Sequence, residues 1–188
     1  FEQVVMLRAG LEIEARLELA GSLQDAVQWE QALQTYALLL NASTTPVDIT
    51  AEALFSSASI YRDIAKDVAS TEPTAAQQAN KDARRRFKKL IVLYNRPQLS
   101  PLAELSYLEV AEIDAEAGHQ DQAVQLLNEL AEKFPDTPWA TYANALLAVQ
   151  HRKVGDAVYL LEKLRDEELD PRLERRLHAV LNTLDQSP

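Results

Sequence analysis

An all-α chain of serially packed helical hairpins is predicted by three features of this sequence. Ala123 to Leu130 (AVQLLNEL) and Ala157 to Leu164 (AVYLLEKL) agree at Ala, Val, both central Leu and the final Leu, 34 positions apart. Ala, Leu, Glu and Gln, which lose little rotamer freedom in a helix, are abundant, whereas 188 residues include only 4 Gly and 8 Pro. Apolar residues recur every three or four positions between breaks made by those few Gly and Pro. A helical period near 34 with small residues at fixed places marks helix-turn-helix units. Such units cannot bury their apolar faces alone and therefore stack.

Each element has its own signal. A first helix is expected from about Glu2 to Ala20, with Met6, Gly10, Ile13 and Leu17 down one face, and Gly21 and Ser22 are expected to end it. A second follows from about Asp25 to Leu40 with Trp29, Ala32, Tyr36 and Leu39 at the same spacing. Asn41 to Asp48 reads as a loop through Ser43, Thr44, Thr45 and Pro46. The third helix, about Thr50 to Val68, carries Leu54, Ala58 and Tyr61; Pro73 then acts as a breaker before a fourth from about Ala75 to Tyr94. After a loop from Asn95 to Ser100, the fifth starts with Ser100 as cap and Pro101 at the first helical position, where its missing N–H costs nothing, and ends at Gly118. The sixth runs from about Asp121 to Lys133 and stops at Phe134-Pro135. Thr137-Pro138 opens a seventh that ends near Val154-Gly155; an eighth covers about Asp156 to Glu168, and Asp170-Pro171 opens a ninth reaching about Leu184. The prolines at 101, 138 and 171 are 37 and 33 apart and the turn glycines 118 and 155 are 37 apart, against 34 for the helices that follow. The last hairpin is therefore expected to have the tighter turn.

Length and a 47% hydrophobic composition suit one domain over residues 1–188. No run of eighteen apolar residues offers a membrane span, and no basic-then-apolar leader is present. The first residue is Phe1 rather than Met, so a processed form is expected. Zero cysteines exclude disulfides, thiolate zinc sites and a cysteine nucleophile, and suit an oxidising compartment. The net charge of −10 disfavours nucleic acid or anionic lipid as the main partner, since both need a cationic face. Charge is uneven: −6 over residues 1–70, +5 over 71–96 and −9 over 97–188. The basic block, Lys81, Arg84, Arg85, Arg86, Lys88 and Lys89, reads as a solvated helix face, with binding of an acidic partner or internal pairing with a neighbouring acidic helix as the alternatives.

The layout resembles the tetratricopeptide repeat family, whose pattern sets large residues at positions 4, 7, 11 and 24, small ones at 8, 20 and 27, and Pro at 32. In residues 104–137, Tyr107, Val110, Ala111, Gly118, Ala123, Leu127 and Pro135 match, while Asp114 and Leu130 depart. Leu147, Ala148 and Ala157 continue the pattern. Leu54, Ala58, Tyr61, Ala83 and Phe87 fit an earlier copy with about thirteen extra residues at its turn, and Trp29, Ala32 and Tyr36 fit half of a first. The resemblance implies a right-handed α-α superhelix of about four hairpins, at approximately 1–42, 50–95, 100–134 and 137–169, with a capping helix at 171–185. The string Leu130 to Tyr142 (LAEKFPDTPWATY) is also similar to junctions in bacterial envelope repeat proteins. That likeness implies a periplasmic or cell-envelope location, with the cytoplasm as the alternative.

Chemistry-bearing patterns are sparse. His119, His151 and His178 have no second ligand at helical spacing, so no metal or cofactor is expected. The run Asp166, Glu167, Glu168 and Asp170 reads as a solvated turn. No phosphate-cradling glycine loop or nucleophile elbow is present, and the chain is read as no enzyme.

By resemblance, the first helix of each pair lines a concave groove that binds a partner peptide or protein surface. Carried over position by position, that surface comprises Glu52, Phe55, Ser59, Arg62, Leu105, Leu108, Glu109, Glu112, Tyr142 and Leu146. The row Phe55, Leu108 and Tyr142 supplies apolar anchors, and the cations of a carboxylate clamp are missing. Burial of that row between hairpins is the competing reading. The expected function is that of a non-catalytic scaffold. Self-assembly into a homo-oligomer is the second reading, and nucleic-acid or membrane-surface binding through residues 81–89 the third.

Overall fold

The computed structural model describes the backbone of residues 2–93 and 101–185 and the side chains of residues 10–93 and 101–184. The Met6 side chain, the Asn95–Ser100 loop and the Ser100 cap lie outside what is described. Among those described there are nine helices and no strand: α1 (Glu2–Asp25), α2 (Trp29–Asn41), α3 (Val47–Val68), α4 (Pro73–Leu93), α5 (Pro101–Glu116), α6 (Gln120–Lys133), α7 (Pro138–Gln150), α8 (Val154–Arg165) and α9 (Pro171–Asp185). The all-α class is as expected, and several boundaries move. Gly21 and Ser22 do not end α1, because a helical glycine costs only about 1 kcal/mol relative to alanine and the fully buried Ala20 holds the segment in place. Pro73 opens α4 rather than interrupting the chain before it, since the first helical position needs no N–H. The extra residues of the second hairpin are not a long turn. They lengthen its helices to 22 and 21 residues, and Ala76 and Ala79 extend the buried stripe of α4.

Three hairpin turns are built alike. Each has three residues between helices, and the middle one has positive φ: Val27 (59°), Gly118 (82°) and Arg152 (58°). In each, the next residue's N–H closes a long bond back to the first helix, Gln28 to Leu23, His119 to Asp114 and Lys153 to Ala148, at 2.8–2.9 Å. This is the left-handed C-terminal closure that usually selects glycine. The α7–α8 turn is therefore not tighter than the α5–α6 turn, and Gly155 lies inside α8. The missing three residues are lost from α7, which has 13 residues against 16 in α5.

Counting from these turns fixes the packing register. Ala20, Ala111 and Ala145 each stand seven residues before the left-handed position, and all are at most 4% exposed. The small-residue place in α7 is thus Ala145, three residues earlier than the register through Leu147 and Ala148. The second helices bury a common pattern: Ala32, Tyr36 and Leu39; Ala83, Phe87 and Leu90; Ala123, Leu127 and Leu130; Ala157, Leu161 and Leu164. Alanine at the head of each triplet lets the facing helix approach, and larger residues below it fill the space.

By packing, the chain divides into two compact units, residues 1–106 and 107–188, with the boundary inside α5. In the first, α2 and α4 both pack on α3, and α1 packs on α2. Ala20, Ala32, Tyr36, Leu39, Ala53 and Ile60 form one core, and Phe55 meets Phe87 edge-on at 5.4 Å. In the second, α6, α7, α8 and α9 pack in sequence, with Leu173 and Leu177 of α9 buried. Thr137 caps α7 by accepting from the Ala140 N–H at 3.2 Å. Asp170 does the same for α9, its carboxylate accepting from the Arg172 N–H at 2.7 Å.

Candidate interaction surfaces

The residues expected to line a groove divide by exposure. In the first unit Phe55, Arg62 and Leu105 are buried, whereas Glu52 and Ser59 are half-buried. Arg62 donates to the side-chain carbonyl of Asn80 at 2.9 Å, which ties α3 to α4. In the second, Leu108 and Tyr142 are buried and Glu109, Glu112 and Leu146 are half-buried. The apolar anchors Phe55, Leu108 and Tyr142, and Leu105 with them, are each at most 5% exposed, so their area goes into packing and little is left for a partner to touch. The reason is visible in the register, since helical spacing alone places a large residue equally well in a core or in a groove.

Within the second unit, Glu109 and Glu112 of α5 are bridged by Arg176 of α9, whose guanidinium donates to both carboxylates. Burial works against the charge on Arg176, but Glu109 and Glu112 outweigh it and hold the guanidinium pKa above its ordinary value. Tyr142 lies beside this cluster, and burial pushes its phenol well above the usual range despite the nearby cation. The α5 carboxylates are thus already satisfied from within the chain. Lys133 is tied similarly, donating to the Tyr107 hydroxyl at 2.7 Å, which raises its pKa.

Among the described residues, an accessible concavity of the first unit lies elsewhere, above α3 and between α2 and α4. A cleft of about 780 Å³ has Ala37, Leu40 and Asn41 of α2 on one wall, Leu54 of α3 at the floor, and Arg85, Arg86, Lys88, Lys89, Val92 and Leu93 of α4 on the other. A smaller cleft of about 270 Å³ shares Ala37, Leu40 and Arg86 with it and ends at Glu30. The Arg86 guanidinium marks the junction, stacked 4.3 Å from the Tyr61 ring centroid and 3.9 Å from the Asp82 carboxylate. Arg85 pairs with Asp82 at 2.9 Å, while Lys88 and Lys89 have no ion-pair partner among the described residues. Val92 is 75% exposed and Leu93 54%. Sequence alone places the basic block on a solvated helix face and does not join it to α2. The available signal was that Lys88 and Lys89 stand four residues before Val92 and Leu93, which puts aliphatic and cationic groups on one outer stripe.

His119 and His151 are exposed at helix ends and His178 is exposed on α9. Among the described residues no cluster of three or more His, Cys, Asp or Glu is arranged to hold a metal, and no helix is long and apolar enough to cross a membrane. No family model matches the chain, and no curated protein or solved structure matches it.

Proposed function

We propose that this chain is a non-catalytic interaction scaffold of the tetratricopeptide-repeat type, a right-handed superhelix that docks a partner protein as an adaptor in a bacterial envelope complex. Support for the repeat type comes from the three like turns and the alanines at fixed distance from them. The lack of cysteine and the envelope-like string Leu130 to Tyr142 support the location. The observation that carries the adaptor reading is the cleft over α3. It is of ligand-site size, its walls are built on helices, and exposed Val92 and Leu93 stand beside lysines that nothing described neutralises. The docking face in this reading is the α2–α3–α4 side rather than the buried row of Phe55, Leu108 and Tyr142.

Photo-crosslinking in the native cell tests it. A crosslinker at Val92 should trap one defined protein, and one at Tyr159, an exposed aromatic outside the cleft, should not. Equal, diffuse labelling from both positions would remove the adaptor reading.

A further inference from the structure

We propose that the cleft over α3 receives an acidic amphipathic segment of a partner protein, with its carboxylates on Arg85, Lys88 and Lys89 and its aliphatic side chains against Leu40, Val92 and Leu93. The proposal rests on the adaptor reading and adds the chemistry of the docked segment.

Charge complementarity is the first argument. The chain carries −10 in total, yet residues 71–96 carry +5, and four of those cations lie on one wall of one cleft. Asp82 answers Arg85 and Arg86, whereas Lys88 and Lys89 are left without a carboxylate among the described residues. Like charges held within two helical turns repel one another, and an anionic segment relieves that repulsion as it docks. The rest of the chain is net acidic, −6 over residues 1–70 and −9 over residues 97–188, so its net charge disfavours the same segment. Glu30 at the far end of the smaller cleft adds a direction: the acidic portion lies toward Lys88 and Lys89, and its neutral or basic flank toward Glu30.

Shape is the second argument. Leu54 closes the floor at only 2% exposure, so the accessible apolar surface is that of Leu40 on α2 and of Val92 and Leu93 on α4, and the Arg86 guanidinium is stacked on Tyr61. A trough between two helices on a third admits the side chains of a peptide. The flat face of a bilayer would meet the outer cations and Val92 but not the half-buried Leu40 on α2. Duplex nucleic acid fits less well, because flanking segments of −6 and −9 oppose its phosphates.

The test is a fluorescence-anisotropy titration of the full chain with a synthetic helical peptide bearing Glu and Leu on adjoining faces. Two control peptides have every Glu replaced by Gln or every Leu by Ser. The parent peptide should bind, both controls should bind roughly tenfold or more weakly, and raising salt from about 0.05 to 0.5 M should weaken the parent. Lys88→Glu with Lys89→Glu, both exposed positions, should abolish parent binding while helicity by circular dichroism is unchanged. Val92→Ser should weaken it without changing the salt dependence. The proposal is overturned if the parent and Gln peptides bind equally, if no peptide binds, or if the charge reversal has no effect. It is overturned equally if phosphatidylglycerol vesicles or a DNA duplex bind in preference to the peptide through the same lysines. Val92 crosslinking of a native partner that survives the charge reversal would leave the adaptor reading standing and remove only the acidic-segment assignment.

Discussion

Val27 and Arg152 hold the same left-handed backbone conformation, φ 59° and 58°, in the turns of the α1–α2 and α7–α8 hairpins, where the α5–α6 turn has Gly118. A side chain there costs about 1–2 kcal/mol, and a β-branched one suffers most. Val27→Gly should therefore stabilise the protein by about 0.5–1 kcal/mol after the added freedom of glycine in the unfolded chain is subtracted, with Arg152→Gly giving less. Gly118→Ala should destabilise by about 1 kcal/mol through conformation alone, because a Cβ at Gly118 meets nothing within 4 Å. Urea unfolding midpoints at constant m-value check all three, and a loss of stability in Val27→Gly would contradict the assignment of strain.

Arg176→Ala removes the guanidinium that bridges Glu109 and Glu112. The cost should be about 2–3 kcal/mol, less than for a fully buried pair because the Glu112 side chain keeps 37% exposure. Adding Glu109→Gln and Glu112→Gln to Arg176→Met should recover most of it. Denaturation of the single, double and triple variants measures the coupling, and strictly additive effects would show that the three side chains do not act together.

Burial raises the pKa of both Tyr36 and Tyr142, so the native state keeps their protons where the unfolded chain, near the ordinary value of 10.0, releases them. Their stabilising contribution is complete below about pH 10 and falls as the pH rises through and beyond it. Lys133, also raised, acts with the same sign. Alkaline titration followed by phenolate absorbance and by helicity should show late ionisation coinciding with loss of structure. Free ionisation of all tyrosines near pH 10 with the helices intact would refute this.

The alanine heading each buried triplet should not tolerate enlargement. Ala157→Leu, at a position with no exposure, should cost about 1–3 kcal/mol by overpacking. Phe87→Ala removes the ring that meets Phe55 and should cost about 3–5 kcal/mol. Thermal unfolding distinguishes these from the exposed Tyr159→Ser, which should change little.

Periodicity made the helices, the triplet pattern of α6 and α8, and the Pro138 and Pro171 starts legible, because each depends on residues close in sequence. The turn positions were not. Nothing about Val27 or Arg152 announces a left-handed residue, and Gly155, which does look like one, is an ordinary helical position. Leu108 and Tyr142 show the same limit for the site: spacing says which residues share a face, not whether another helix covers it. The cleft over α3 combines α2 with α4 across more than forty positions of chain, and only packing brings Leu40 opposite Lys89. Arg176 and its α5 carboxylates were likewise invisible, since no local pattern links residues 64 and 67 positions apart.

That separation has a consequence for biogenesis. A chain emerging from the ribosome presents α5 long before α9, so more than sixty further residues must be made before Glu109 and Glu112 can meet the Arg176 guanidinium. The contact that joins α5 to α9 is therefore among the last in this unit to form during synthesis.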